Sequence, residues 1–305
     1  MLFPRMSRSK KLKYIAAVVI FLFVGAYVRH KYMAGKITVV GVLQDRSMDE
    51  TSGIAASGIN DSLFYVHNDS GDTSRFFVIN ERGRLRNTIY YKGDPSYYQG
   101  VKDCEDIAVG PGPKPGKSYV YIADIGDNSF RRPAITVYRF EESAGLLNGN
   151  KKYAKASPIH LQYPDGPKDA ETLMIDPLDK LLYIVSKRGD KVGVYSVPLN
   201  AKVGDTTIMT KRTTLTFGGI KPLKWITAGD ISKDGKHILL KSYQEVYYWE
   251  RKNNESVWEC MKRKPRTPRY EEEKLGEGIG FNADGKGYYT VGEGVFAPIY
   301  YYKTP

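Results

Sequence analysis

The chain has 305 residues, 41% of them hydrophobic, enough for one large domain with its own core. Its formal net charge of +12 is local: residues 1–31 hold seven Lys and Arg and no acid, leaving 39 basic against 34 acidic residues in the rest. Five more bases lie in Lys262-Arg263-Lys264-Pro265-Arg266 and Arg269, a solvated loop that also fits a localisation or cleavage signal, so the body is near neutral and a nucleic-acid partner is excluded.

Residues 1–13 read as a basic cytosolic tail, 14–28 as a signal anchor and 29–36 as a linker before a domain at 37–305. The stretch Tyr14 to Val28 carries no charge and follows five basic residues. It is short for a bilayer span of ~20 residues, although Leu12 extends it if Lys13 snorkels. A cleaved signal peptide competes with the anchor, but Val28-Arg29-His30-Lys31 makes a poor cleavage site. The charge bias places the body in a secretory lumen or outside the cell, as a single-pass membrane protein, or secreted if the segment is removed. A short span suits a thin, early-secretory membrane. Cys104 and Cys260 either pair or stay as separate buried thiols. Asn60-Asp61-Ser62, Asn68-Asp69-Ser70 and Asn254-Glu255-Ser256 fit the glycosylation pattern.

From Ile37 onward the apolar spacing is that of strands, and the abundant Tyr (24 residues) suits half-buried strands. A motif recurs five times: a Glu, Ser or Thr, a short apolar strand, a turn, and a second, more apolar strand. The copies start at Ser52, Glu105, Glu171, Thr227 and Glu277, at the spacing of a propeller, solenoid or array. The first predicts strands over 52–57, 63–67, 75–80 and 85–92, and the second over 105–110, 118–124, 135–141 and 157–163. The third gives 171–176, 180–186, 192–198 and 211–217; the fourth 227–232, 236–242, 245–251 and about 255–261. The fifth gives only 277–282, 286–292 and 298–303, and the segment Ile37–Leu43 is free to supply its outer strand. The expectation is an all-β, five-bladed β-propeller closed by its N-terminal strand, with six blades as the alternative.

In a propeller the residue heading each first strand converges on the axis, and residues ending each second strand reach the same face. The inner set is Ser52, Glu105, Glu171, Thr227 and Glu277. The shared Asp234-Gly235 and Asp284-Gly285 turns align Thr227, not Asp230, with Glu277. The outer set includes His67, Asn68, Asp69, Asp124, Asp127, Asn128, Lys187, Arg188, Lys241 and Glu293. Three carboxylates about one axis repel unless protonated or joined by a cation. Oxygen donors alone suit Ca²⁺ better than Zn²⁺. The competing reading has each residue cap its own blade.

This Ser, Glu, Glu, Thr, Glu ring resembles the calcium-activated nucleotidase (apyrase) family, with local matches at Glu50-Thr51-Ser52, Ala170-Glu171 and Glu277-Gly278-Ile279. The resemblance implies a five-bladed propeller, often signal-anchored, with an axial Ca²⁺. It covers the blade starts only, and Thr227 stands where that family has Ser. Ser52-Gly53-Ile54-Ala55, His67-Asn68-Asp69-Ser70-Gly71-Asp72, Cys104 to Gly110, Asp124-Ile125-Gly126-Asp127-Asn128 and Ile231-Ser232-Lys233-Asp234-Gly235 also resemble bacterial SdiA-regulated and esterase-like phytase propellers. That second likeness speaks to fold more than to reaction.

The first functional expectation is a Ca²⁺-dependent hydrolase of a phosphoester or phosphoanhydride. Asp69 or Asp124 would position or deprotonate water, and Lys187, Arg188 and Lys241 would meet the substrate's negative charge. The same lysines serve equally as counter-charges to the acids. The second is a non-catalytic propeller with a structural ion that binds a protein or glycan, and the third a lactonase or esterase. No Gly-x-Ser-x-Gly elbow, phosphate-binding Gly loop or His metal spacing occurs.

Overall fold

The computed structural model describes Val18 and residues 37–305. The expected tail 1–13, anchor 14–28 and linker 29–36 lie, Val18 apart, outside the described residues. Among the described residues no helix is long and apolar enough to cross a membrane. Thr38–Pro305 forms one compact unit.

The chain begins with β1 (Thr38–Val42). Blade 1 follows with β2 (Thr51–Ala56), β3 (Leu63–Asn68), β4 (Arg75–Asn80) and β5 (Leu85–Tyr91). Blade 2 has β6 (Cys104–Pro111), β7 (Ser118–Asp124) and β8 (Ile135–Glu141), then helix α1 (Ala144–Leu147), β9 (Tyr153–Ala154) and β10 (Ser157–Gln162). Blade 3 has β11 (Ala170–Asp176), β12 (Leu181–Ser186), β13 (Val192–Pro198), β14 (Thr206–Ile208) and β15 (Thr210–Leu215). Blade 4 has β16 (Ile226–Ile231), β17 (His237–Ser242), β18 (Val246–Glu250) and helix α2 (Val257–Cys260). Blade 5 ends the chain with β19 (Gly276–Phe281), β20 (Gly287–Gly292) and β21 (Pro298–Lys303).

These strands form five sheets, and their innermost strands touch in a closed cycle, β2 to β6 to β11 to β16 to β19 and back to β2. The molecule is therefore a five-bladed propeller, and six blades are not formed. β1 pairs antiparallel with β21, so the first strand completes the last blade and covers its edge. Blades also borrow from their successors: β9 pairs parallel with β5 and β14 with β10. Neither short strand is predicted by the repeat pattern, since each lies in a connection.

The fourth strand expected at 255–261 is not a strand. Ser256 and Glu259 form a capping box: the Ser256 hydroxyl accepts the Glu259 N–H at 3.4 Å, and the Glu259 carboxylate accepts the Ser256 N–H at 2.9 Å. That reciprocal pair satisfies amides that would otherwise join a sheet, and it starts α2. The outer edge of β18 is met instead by Arg266, whose backbone exchanges two hydrogen bonds with Tyr248.

The core lies between blades rather than within them. Tyr65, Tyr121 and Tyr183, from the second strands of blades 1 to 3, are fully buried in successive apolar clusters. Cys104 and Cys260 are buried free thiols in different clusters, so the separate-thiol alternative holds. Close to the axis the strands crowd, and glycine is needed. A Cβ on Gly280 would lie 2.2 Å from the Ile54 carbonyl oxygen of the neighbouring inner strand. Carboxylates staple neighbouring inner strands. Asp106 accepts the Leu173 N–H and Asp230 the Phe281 N–H, each at 2.8 Å. Arg251 does the same farther out, bonding Asp176 at 2.9 Å and Asp179 at 3.0 Å.

Candidate metal centre

Each inner hairpin carries a register irregularity at the same place, between Thr51 and Gly53, Cys104 and Asp106, Ala170 and Thr172, Ile226 and Ala228, and Gly276 and Gly278. The skipped residues are Ser52, Glu105, Glu171, Thr227 and Glu277, the five residues chosen from the sequence. A β-bulge leaves one residue outside the ladder and re-aims its side chain. All five are buried.

The ring is not symmetric. Carboxylate oxygens of Asp69, Asp103 and Glu105 lie within 4.8 Å of one another, and so do those of Asp69, Glu277 and Glu293. Asp69, just after β3, joins the two groups, so the acids concentrate toward blades 1, 2 and 5. On the blade 3 side Glu171 makes a close ion pair with Lys187, whose ammonium sits 5.7 Å from the Tyr243 ring. On the blade 4 side Thr227 donates to the Gly276 carbonyl at 3.5 Å; in blade 1 Ser52 donates to the Glu105 carbonyl of blade 2 at 2.8 Å. Tyr243 donates to Glu277 at 2.7 Å. The second oxygen of Glu171 is buried and has no hydrogen-bond partner.

Burial and mutual repulsion raise the proton affinity of Glu105, Asp69 and Glu293. Glu105 lies well above the usual carboxylate range through burial and then the charges of Asp69 and Asp103. Asp69 is pushed up to about 7, by burial first and then by Glu277 and Asp103. Glu293 rises to about 8 through burial and then the charge of Glu277. Lys187 opposes the shift at both Asp69 and Glu105.

The other expected site residues are placed as follows. Asp124 is engaged through both oxygens, accepting the Lys102 N–H and the Asp103 N–H, each at 3.1 Å, and an Arg132 N–H at 2.7 Å. It thereby fixes the loop that carries Asp103. Arg188 pairs with Asp169 at 2.7 Å, bonds Asn128 and lies 4.8 Å from the Trp225 ring. Lys241 is 0% exposed, donates to the Gly276 carbonyl, lies 4.0 Å from Glu273 and sits under the Tyr270 ring. It therefore underpins the ring without reaching its opening. Asn68 is buried, its amide bonded to the Ser47 carbonyl at 2.7 Å, whereas Asn60 and Asn254 are exposed.

Sequence reasoning missed Asp103. Its signal is a shared offset: Asp103 stands two residues before Glu105, as Asp169 does before Glu171 and Glu50 before Ser52. A second acidic tier was thus readable at the same offset in three blades.

The fold and this cluster define a five-bladed β-propeller with an acid-rich funnel at one end of its axis. No family model matches the chain, and no curated protein matches it. Among solved structures it is similar to one described as the Dos1 propeller, with 13% identity and a TM-score of 0.38, covering 82% of this chain and 67% of that one.

Proposed function

We propose that the funnel holds one Ca²⁺ and that the protein is a Ca²⁺-dependent hydrolase of a phosphoester or phosphoanhydride, working on the non-cytosolic side of a membrane reached through the N-terminal apolar run. The observation that carries this reading is the meeting of Asp69 with Asp103 and Glu105 and again with Glu277 and Glu293, on a bulged ring that also holds a buried Glu171 oxygen without a partner. Oxygen donors in this number suit a hard cation. Asp69, Asp103, Glu105, Glu277 and Glu293 would supply the charged ligands, with Ser52, Glu171 and Thr227 completing the bulged ring. Calcium, when bound, supplies positive charge to polarise a phosphoryl oxygen.

The chain's own residues would then divide the work. Asp69 and Glu293 are half-buried, so they meet a water or substrate at the opening. Asp69 would meet the ion through one carboxylate oxygen and use the other to orient water and accept its proton. Lys187 would turn from Glu171 toward substrate negative charge. Arg188, whose side chain is 27% exposed, stands farther out as a second cation. Lys241 and Asp124 hold neighbouring backbone in place.

The non-catalytic alternative, a protein- or glycan-binding propeller with a structural ion, is favoured by one observation: Lys187, Arg188 and Lys241 all already have acidic neighbours. Metal analysis and calcium titration calorimetry of the full-length chain, followed by phosphate release from a nucleotide and phosphomonoester panel, separates the readings. The hydrolase reading expects stoichiometric Ca²⁺, Ca²⁺-dependent turnover, and at least tenfold loss of both affinity and turnover in Glu105→Gln. Binding without turnover leaves the structural-ion reading; absence of divalent-cation binding defeats both.

A further inference from the structure

The opposite end of the axis is built differently. There the C-terminal ends of the inner strands line a partly open cavity of about 240 Å³, to which all five blades contribute. Its walls include Ala55, Val109, Ile175, Ile231 and Phe281, and the acid that lines it is Asp230. The two lysines among the lining residues, Lys117 and Lys233, are exposed. Lys233 donates to the Gly58 carbonyl at 3.3 Å, so its ammonium is held beside another lining residue.

The plain account of Asp230 is an inter-strand staple like Asp106. The two differ in one respect. Asp106 is fully buried, whereas Asp230 is half-buried and opens into the cavity. Each Asp230 oxygen accepts one backbone N–H, from Ile231 and from Phe281, both at 2.8 Å. A carboxylate oxygen has two lone pairs, so each retains one acceptor site. A carboxylate in an apolar enclosure, held only by amide N–H groups, favours a cation that enters with its own apolar body. At about 10–15 Å³ of such volume per water, the cavity has room for a small organic ion.

We propose that this cavity is a second ligand site, for a compact zwitterion with an ammonium group at one end, an apolar middle and a carboxylate at the other. The ammonium donates to Asp230, the aliphatic or aromatic middle lies against Val109, Ile175 and Phe281, and the carboxylate faces Lys233 and Lys117. The site is independent of the acid-rich funnel.

The test uses 6-aminohexanoate and hexanoate as probes, titrated by calorimetry against the full-length chain at about pH 8, where Asp230 is ionised. Saturable one-to-one binding of 6-aminohexanoate, at least tenfold tighter than of hexanoate, is expected. Asp230→Asn, which keeps one acceptor for the backbone, is expected to remove that tenfold preference. Ala56→Leu, which enlarges a residue lining the cavity from blade 1, is expected to abolish binding and leave the calcium titration unchanged. Equal binding of 6-aminohexanoate and hexanoate, no saturable binding at all, or undiminished binding by folded Ala56→Leu overturns the proposal.

Discussion

Lys187 is a tethered cation lodged where we propose that a divalent ion binds, and replacing it with methionine separates its two roles. Its side chain is 9% exposed and that of Glu171 is 5% exposed, so the pair is buried. Removing one partner of a buried pair costs about 3–5 kcal/mol, because the other charge stays behind without compensation. In a domain of this size each kcal/mol corresponds to ~2–4 °C, so Lys187→Met is expected to lower the melting temperature by roughly 10 °C without added cation. The same change leaves Glu171 with both oxygens free and removes the charge that opposes the upward shifts of Asp69 and Glu105. Calcium should then raise the melting temperature of the variant by more than it raises that of the wild type. Calorimetric scans of both proteins across a calcium series provide the measurement. An equal rise in the two proteins, or an unchanged melting temperature before calcium is added, would refute the reasoning.

Three further outcomes follow from the geometry. In Gly126→Ala the new Cβ would sit 2.0 Å from a Glu105 oxygen and 2.4 Å from an Asp103 oxygen, so both carboxylates must move. Calcium affinity measured by titration should fall about 10–100-fold, the range for disturbed ligand support, and an unchanged affinity would place the ion elsewhere. Arg251→Met strands the buried Asp176 carboxylate and should cost about 3–5 kcal/mol in urea unfolding, with part recovered by adding Asp176→Asn. Asp230 is pushed up to about 7 from the ordinary 3.8 by burial, and Asp106 faces it from blade 2. A raised folded-state value means that the folded protein holds a proton which the unfolded chain has released. This contribution to stability is full below about 4 and is lost as pH rises through about 7. The unfolding free energy of Asp230→Asn should therefore fall less than that of the wild type between pH 4 and 7, and identical slopes would contradict the assignment.

The architecture was legible because a propeller repeats its instructions. Alternating apolar residues, Asp-Gly turns and an unclaimed first strand specify blades and their closure locally, and β1 pairs with β21 as that pattern requires. The one misread strand, 255–261, carried a Ser-x-x-Glu cap whose reciprocal bonds favour a helical turn over a sheet edge. The short strands β9 and β14 were not legible, since their pairing partners belong to other blades.

The sequence by itself also determined which five residues head the blades, because each precedes an apolar strand at an equivalent place. It did not determine that every one sits on a bulge, which depends on how two strands are registered against each other. Nor did it settle which acids meet. Asp69, Asp103, Glu105, Glu277 and Glu293 come from blades far apart in sequence, and only closure of the ring brings their oxygens within reach. Lys187 and Lys241 look alike in sequence, each near the end of a second strand. Packing separates them: one faces the acids of the funnel, and the other is sealed beneath Tyr270. Repeated local chemistry specifies the blades, whereas the environment of a charge is set by what the other blades place against it.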